Sequence, residues 1–170
     1  RRSHHVHIGT HSGTHFDAPS HFIHNGKTIS DYGVGTFISR ASLVSIKAAP
    51  YEEIGANHVF GALESSSIGD KEAIILRFGW GERYGSDNYY SAQPYLNEAA
   101  MNLLLESNPK IIGYDMAMPD KPTNGFGSNC DSPMHKLALG RDTLLLENMI
   151  IPLETPPIFT LLSFPLELKD

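Results

Sequence analysis

A single cysteine, Cys130, stands in 170 residues, so no internal disulfide can brace the fold and a reducing compartment is compatible with it. Basic residues are outnumbered, 13 Lys and Arg against 19 Asp and Glu for a net charge of -6. No Lys/Arg cluster offers the stripe that displaces counterions from a phosphate backbone, which argues against nucleic acid as a partner. No apolar run approaches the roughly 18 residues of a spanning helix, and Arg1-Arg2 leads into histidines instead of an apolar signal core. These features predict a soluble, cytoplasmic protein without a membrane partner. A G-x-S-x-G elbow is also missing, so serine hydrolase chemistry of that kind has no nucleophile here. No repeat, low-complexity tract or linker-like run divides the chain, and its length suits one core. We expect one domain over residues 1–170.

Several runs rich in β-branched residues read as strands, at residues 42–48, 73–78, 110–114 and 158–164. Ala73-Ile74-Ile75-Leu76 and Ile111-Ile112 are continuous apolar runs, as expected of strands covered on both faces. Leu96, Ala99, Ala100, Leu103 and Leu104 repeat at the helical period, and Asn108-Pro109 stops them. Strand, helix, strand in that order predicts an α/β sheet. A shorter helix should start at Ser132-Pro133, with serine as N-cap and proline at the first position, and end at Gly140. Residues 25–35 and 79–94 carry turn residues and several aromatic rings, and are the loops expected to touch a substrate.

What is abundant is histidine, with six of the nine (His4, His5, His7, His11, His15 and His21) in the first 21 residues. His11, His15 and Asp17 lie two or four residues apart and can converge on one cation. Two imidazoles and a carboxylate are a common set for Zn²⁺, the expected ion, with Mn²⁺ as the alternative. Gly13 permits a tight backbone path, Thr14 offers a hydroxyl to hold a ligand, and Pro19 stiffens the segment. A lone histidine is usually an ordinary surface or core residue; three histidines and an aspartate interleaved with Gly and Pro reverse those odds. His4, His5 and His7 lack such a scaffold and read as a strand with alternating solvent-facing imidazoles.

The stretch His11-Ser12-Gly13-Thr14-His15-Phe16-Asp17-Ala18-Pro19-Ser20-His21 also resembles the H-x-G-T-H-x-D-x-P-x-H pattern of the cyclase family that includes bacterial kynurenine formamidase, and every fixed position is met. Downstream, His135 and Glu147 resemble that family's distant His and Glu ligands in order and spacing; taken alone they read as a solvated helix residue and a strand-end charge. Phe78-Gly79-Trp80, Tyr84-Gly85, Pro94-Tyr95-Leu96, Glu98-Ala99-Ala100 and Ile112-Gly113-Tyr114-Asp115 look like its middle segments, so the resemblance runs from about His7 to Pro165. Phe78 departs from it, standing where a small hydroxylated residue is expected. Relatives carry a strand region before the motif, so the chain is expected to be trimmed at its ends.

The resemblance implies a single α/β domain, a mixed sheet wrapped by helices of the swivelling β/α type, assembled as a homodimer or homotetramer. It implies one or two divalent ions, one held by His11, His15 and Asp17 and a second by His135 and Glu147 with Asp17 bridging. His21 would be the general acid/base, its pKa near 6.5 suiting the task, with a ligand or supporting role as the alternative. The implied reaction is hydrolysis of a C–N bond in an aryl formamide such as N-formylkynurenine or a lactam such as isatin. Phe16, Phe22, Trp80, Tyr84, Tyr89 and Tyr90 are candidates to wall an aromatic amide or lactam substrate, against core packing as the plain reading. Two other functions fit the same ligands: a metal-binding protein without efficient turnover, and a lyase or dehydratase stabilising an enolate. A Cys130–His135 nucleophilic pair is the less economical use of His135.

Overall fold

The computed structural model describes residues 2–64, 73–125 and 131–166, and Cys130 lies outside them. Among the described residues eight strands and four α-helices follow in the order β1 (His15–Asp17), β2 (Ile38–Ser45), β3 (Glu53–Ile54), α1 (Ala56–Leu63), β4 (Ala73–Arg77), β5 (Tyr95–Leu96), α2 (Glu98–Leu105), β6 (Ile111–Tyr114), α3 (Pro122–Gly125), α4 (Pro133–Leu139), β7 (Leu144–Glu147) and β8 (Ile158–Leu162). Six of the strands form one sheet in the order β1-β7-β6-β4-β2-β8, and β3 pairs with β5 apart from it. The inner strands β2, β4, β6 and β7 run parallel, while β1 and β8 close the two edges antiparallel. The sheet is therefore mixed and the fold α/β.

All four of the expected strands are present. Side chains alternate across a strand, so Ile74 and Leu76 of β4 enter one apolar layer with Ile112 and Leu145, while Ala73 and Ile75 enter another with Ile111, Leu144 and Leu146. Both faces are covered, as the continuous apolar runs required, but not alike. Residues of α1, α2 and α4, among them Val59, Ala100, Leu104 and Ala138, fill the first layer. On the opposite face the cover is Phe16, Ile29, Tyr32, Phe37 and Phe159, supplied by edge strands, loops and the short 3-10 turns at Ile29–Asp31 and Val34–Phe37.

The predicted helix ends are corrected by their capping. Asn97 caps α2, its side-chain oxygen accepting from the N–H of Ala100 at 3.0 Å. Ser132 precedes α4 but is left-handed, at φ 39°, and its side chain makes no capping bond. Gly140 is right-handed at φ -66°; the reversal comes two residues later, at Asp142 with φ 61°. The carboxylate of Asp142 meets both Lys27 and the hydroxyl of Tyr32, tying the segment around residue 30 to the end of α4. The strand β1 and the helix α1 were not anticipated, while β7 ends at Glu147 as the reading of that residue as a strand-end charge implied. A strand of three residues carries little periodic signal, and α1 fully buries only Val59. His4, His5 and His7 are exposed and belong to no strand.

A cavity in the central sheet cannot close by small shifts, so Ile112→Ala, at a side chain with 0% exposure, should cost about 3 kcal/mol, as such truncations do. Leu162→Ala, at the exposed edge, should change stability by no more than about 0.5 kcal/mol. Urea unfolding of both variants checks the contrast; equal losses would contradict this placement of the core.

Candidate metal centre

Strand β1 does most of the assembly. Its period of two sends His15 and Asp17 to one side and Phe16 to the other. Its antiparallel register with β7 places His15 opposite Glu147, with Asp17 opposite Leu145. His11 is not part of the strand; the chain returns it to the same point through a turn at Gly13, whose φ of +66° is left-handed. Thr14 fastens that turn, its hydroxyl donating to the carbonyl of Asn148 just beyond β7 at 2.7 Å. His21 ends a single turn of 3-10 helix begun by Pro19. Gly26 backs onto that turn so closely that a Cβ there would stand 2.7 Å from the Pro19 carbonyl carbon. His135 arrives from the first turn of α4, which packs across β7.

The other four ligand candidates and His21 gather around the carboxylate of Asp17. Asp17 is 1% exposed, and His11 Nδ1 lies 3.0 Å and His15 Nε2 3.4 Å from its Oδ1. Its Oδ2 faces His135 Nε2 at 3.5 Å and His21 Nε2 at 3.8 Å. Glu147 closes the ring, with Oε2 3.5 Å from His15 Nε2 and Oε1 3.2 Å from His135 Nε2. Two sets of three can each offer one ligand atom within 4.8 Å of the others: His11, His15 and Asp17, and then Asp17, His135 and Glu147. Asp17 is common to both.

Do these residues fit a cation? Both oxygens of Asp17 are buried, and neither has a hydrogen-bond partner. A buried carboxylate in that condition is costly, and the nitrogens around it approach without aligning as donors. His11 Nδ1 meets His15 Nε2 at 3.0 Å, while both oxygens of Asp17 are left without a partner among the described residues; a divalent ion fits that gap, and the donor set suits Zn²⁺ or Mn²⁺. The supporting contacts are of the kind that orient ligands. His15 Nδ1 bonds the carbonyl of Gly13 at 2.9 Å, and the Tyr114 hydroxyl donates to Glu147 Oε1 at 2.6 Å.

Charge in the cluster is strongly redistributed. Burial raises the carboxyl of Asp17, but His11, His135 and His15 outweigh it and hold the group far below the usual carboxylate range. Burial also opposes charge on His135, yet Asp120, Asp17 and Glu147 raise it to about 11. His15 is raised in the same way, with Asp17 overcoming its burial. His21 moves down: burial lowers it, Asp17 pulls against that, and His11, His135 and His15 add to the lowering. Burial raises Glu147.

A cavity of about 180 Å³ opens over the cluster, lined by all six site residues together with Phe22, Tyr90, Ala117, Met118, Ser132 and Asn148. Phe22 packs on both His21 and His135, with ring centroids 4.4 and 4.7 Å away. Tyr90 also lines the cavity, and the remaining aromatic candidates lie elsewhere. Trp80 is in the core, 2% exposed, its indole N–H donating to the Tyr89 carbonyl at 2.9 Å. Tyr84 is half exposed with its edge on Tyr89, and Tyr89 is wholly buried. Phe16 packs against Phe37 in the second layer and borders only a neighbouring hollow that includes His11, His21 and Ile29. Trp80, Tyr84 and Phe16 therefore do not line this cavity: the alternation of β1 turns Phe16 away, and the turn at Gly79 folds Trp80 inward. Of the two loops expected to touch a substrate, residues 79–94 contribute Tyr90, while Thr28, Ile29 and Ser30 from the other reach only the hollow.

Asn148 and Asp120 were not singled out. Asn148 lines the cavity, and its Oδ1 takes the hydroxyl of Tyr89 at 3.0 Å; its position beside Glu147 was the signal available. Asp120 gave no local signal at all.

His135, raised to about 11, carries a proton at neutral pH in the metal-free cluster, so a cation must displace it. Affinity for Zn²⁺ should therefore rise with pH between about 6 and 9, by about tenfold per unit for the His135 proton displaced. Calorimetry in buffers of different ionisation heat reads the proton count; binding without proton release would contradict the protonated state of His135.

The sequence profile of the Cyclase family matches residues 2–121. Kynurenine formamidase of Bacillus cereus is 25% identical over 163 residues, 96% of this chain and 72% of its own length. That of Salinibacter ruber is 25% identical over 162 residues, 95% and 71% of the two chains. Among solved structures, isatin hydrolase A of Labrenzia aggregata, bound to benzyl benzoate, superposes with a TM-score of 0.83 at 23% identity, over 98% of this chain and 71% of the other. Isatin hydrolase A of Ralstonia solanacearum gives 0.79 at 22% identity, over 95% and 68%. With the His11–His21 motif, its ligand cluster and the matched profile in agreement, the chain belongs to the Cyclase family.

Proposed function

We propose that this chain hydrolyses the C–N bond of an aryl formamide or a cyclic aromatic amide, with divalent ions held by His11, His15 and Asp17 and by Asp17, His135 and Glu147. The observation that supports it most is Asp17, a buried carboxylate with two unpartnered oxygens shared by both ligand sets. Zn²⁺ is the preferred ion and Mn²⁺ the alternative. When bound, such an ion acidifies water towards neutral pH and polarises a carbonyl oxygen.

The proton traffic falls to His21. It lines the cavity, its ring lies 4.2 Å from that of His11, and its lowered pKa keeps it neutral at pH 7. A neutral imidazole can take a proton from the attacking water and return it to the departing nitrogen. One C–O bond forms and the C–N bond breaks; a formamide yields formate and an aryl amine, a lactam its ring-opened amino acid. Asp17 faces the protonated ring and steadies its charge between the two transfers. Phe22 and Tyr90 flank the cavity with apolar surface suited to a flat ring, and its small volume favours one ring system over a peptide.

Protein prepared without chelator should contain stoichiometric zinc or manganese and hydrolyse N-formylkynurenine or isatin, with activity lost on chelation. Asp17→Ala should lose metal and activity together. His21→Ala should keep its metal and lose about 10² to 10⁴ in kcat. Elemental analysis beside the kinetics decides this, and full turnover in His21→Ala would remove the assignment.

A further inference from the structure

Asp120 is 1% exposed and belongs to neither ligand set, yet it makes three bonds to two consecutive residues of α4. Its Oδ1 accepts the backbone N–H of Met134 at 2.9 Å, and its Oδ2 accepts the N–H of His135 at 3.1 Å. The same Oδ2 lies 2.6 Å from Nδ1 of the His135 ring. Capping explains only the first two. The free N–H groups of a helix start need an acceptor, and Ser132, where a cap would sit, supplies none. The ring contact has no part in capping. With Nδ1 engaged by a carboxylate, Nε2 is the nitrogen left facing Glu147 and Asp17.

We propose that Asp120 is the positioning residue of the Asp17–His135–Glu147 set. One carboxylate seats the first turn of α4 and orients the His135 ring so that Nε2 is its ligating atom. Helix placement and ligand orientation are thus set by one group, 15 residues before the ligand it controls. This inference rests on the reading of His135 as a metal ligand.

A thermodynamic cycle on the full chain tests it, using Zn²⁺ alone in competition with a chelating dye, with Asp120→Asn, His135→Gln and the double variant. Asparagine can still accept a backbone N–H while its amide nitrogen cannot accept from the ring. Asp120→Asn should weaken Zn²⁺ binding about 10- to 100-fold, as loss of ligand-orienting groups does. In the His135→Gln background the same change should alter affinity by no more than about twofold, because the pathway through the ring is gone.

Unchanged Zn²⁺ affinity in Asp120→Asn would overturn the proposal, and so would an equal loss with and without the His135 ring, which would mark Asp120 as a cap only. If Asp120→Asn fails to fold by circular dichroism, Asp120→Glu, which keeps the charge but shifts the oxygens, carries the same cycle with the same criteria. A parent chain that binds neither Zn²⁺ nor Mn²⁺ fails in a distinguishable way, overturning the metal reading and the role of Asp120 with it.

Discussion

Burying a carboxylate without hydrogen bonds is among the most unfavourable arrangements a fold can hold, and Asp17 sits in that state near the sheet edge. The surrounding structure is organised by this constraint. Four histidines and Glu147 gather within ion-pair distance of Asp17 or of one another, and the strand register, the Gly13 turn and the start of α4 each deliver one or more of them. Without a cation, the proton on His135 offsets part of the buried negative charge; a cation held there would take its place. The energetics of the cluster and its chemistry are two consequences of the same arrangement.

The fold separates load from function. The parallel strands β4 and β6 are buried on both faces and form a rigid centre. The site stands away from them, on the β1–β7 edge, where the backbone can turn at Gly13 and Asn148 and where side chains can face a cavity. Three of the five candidate ligands have their own support: Gly13 for His15, Tyr114 for Glu147, Asp120 for His135. Such bonds lock rotamers, so the ligands stay near their working positions and little ordering is left to binding.

Much of this was legible in the chain. The strands at 73–78 and 110–114 announced themselves by unbroken apolar runs, since only a strand covered on both faces tolerates them. His11, His15, Asp17 and His21 were legible because their spacing is local and their interleaving with Gly and Pro is unusual. His135 and Glu147 carry no local mark and were reached through resemblance alone. Asp120 was out of reach by either route, because its partners are backbone groups and a ring 15 residues away. Trp80 and Phe16 were misplaced for a related reason: composition shows that a loop or strand has aromatic rings, while the backbone path decides which way each ring faces.

By itself the sequence determined an α/β chain with two buried strands, a histidine-rich ligand segment and no means of forming a disulfide core, because these depend on neighbours in the chain. Tertiary structure alone decided which faces meet. The register of β1 on β7 sets Glu147 opposite His15, α4 swings His135 over both, and Asp120 turns the ring of His135 toward them. The physical reason is that a metal centre is a convergence of side chains in space, and convergence between residues 17 and 147 is a property of pairing and packing that no local pattern encodes.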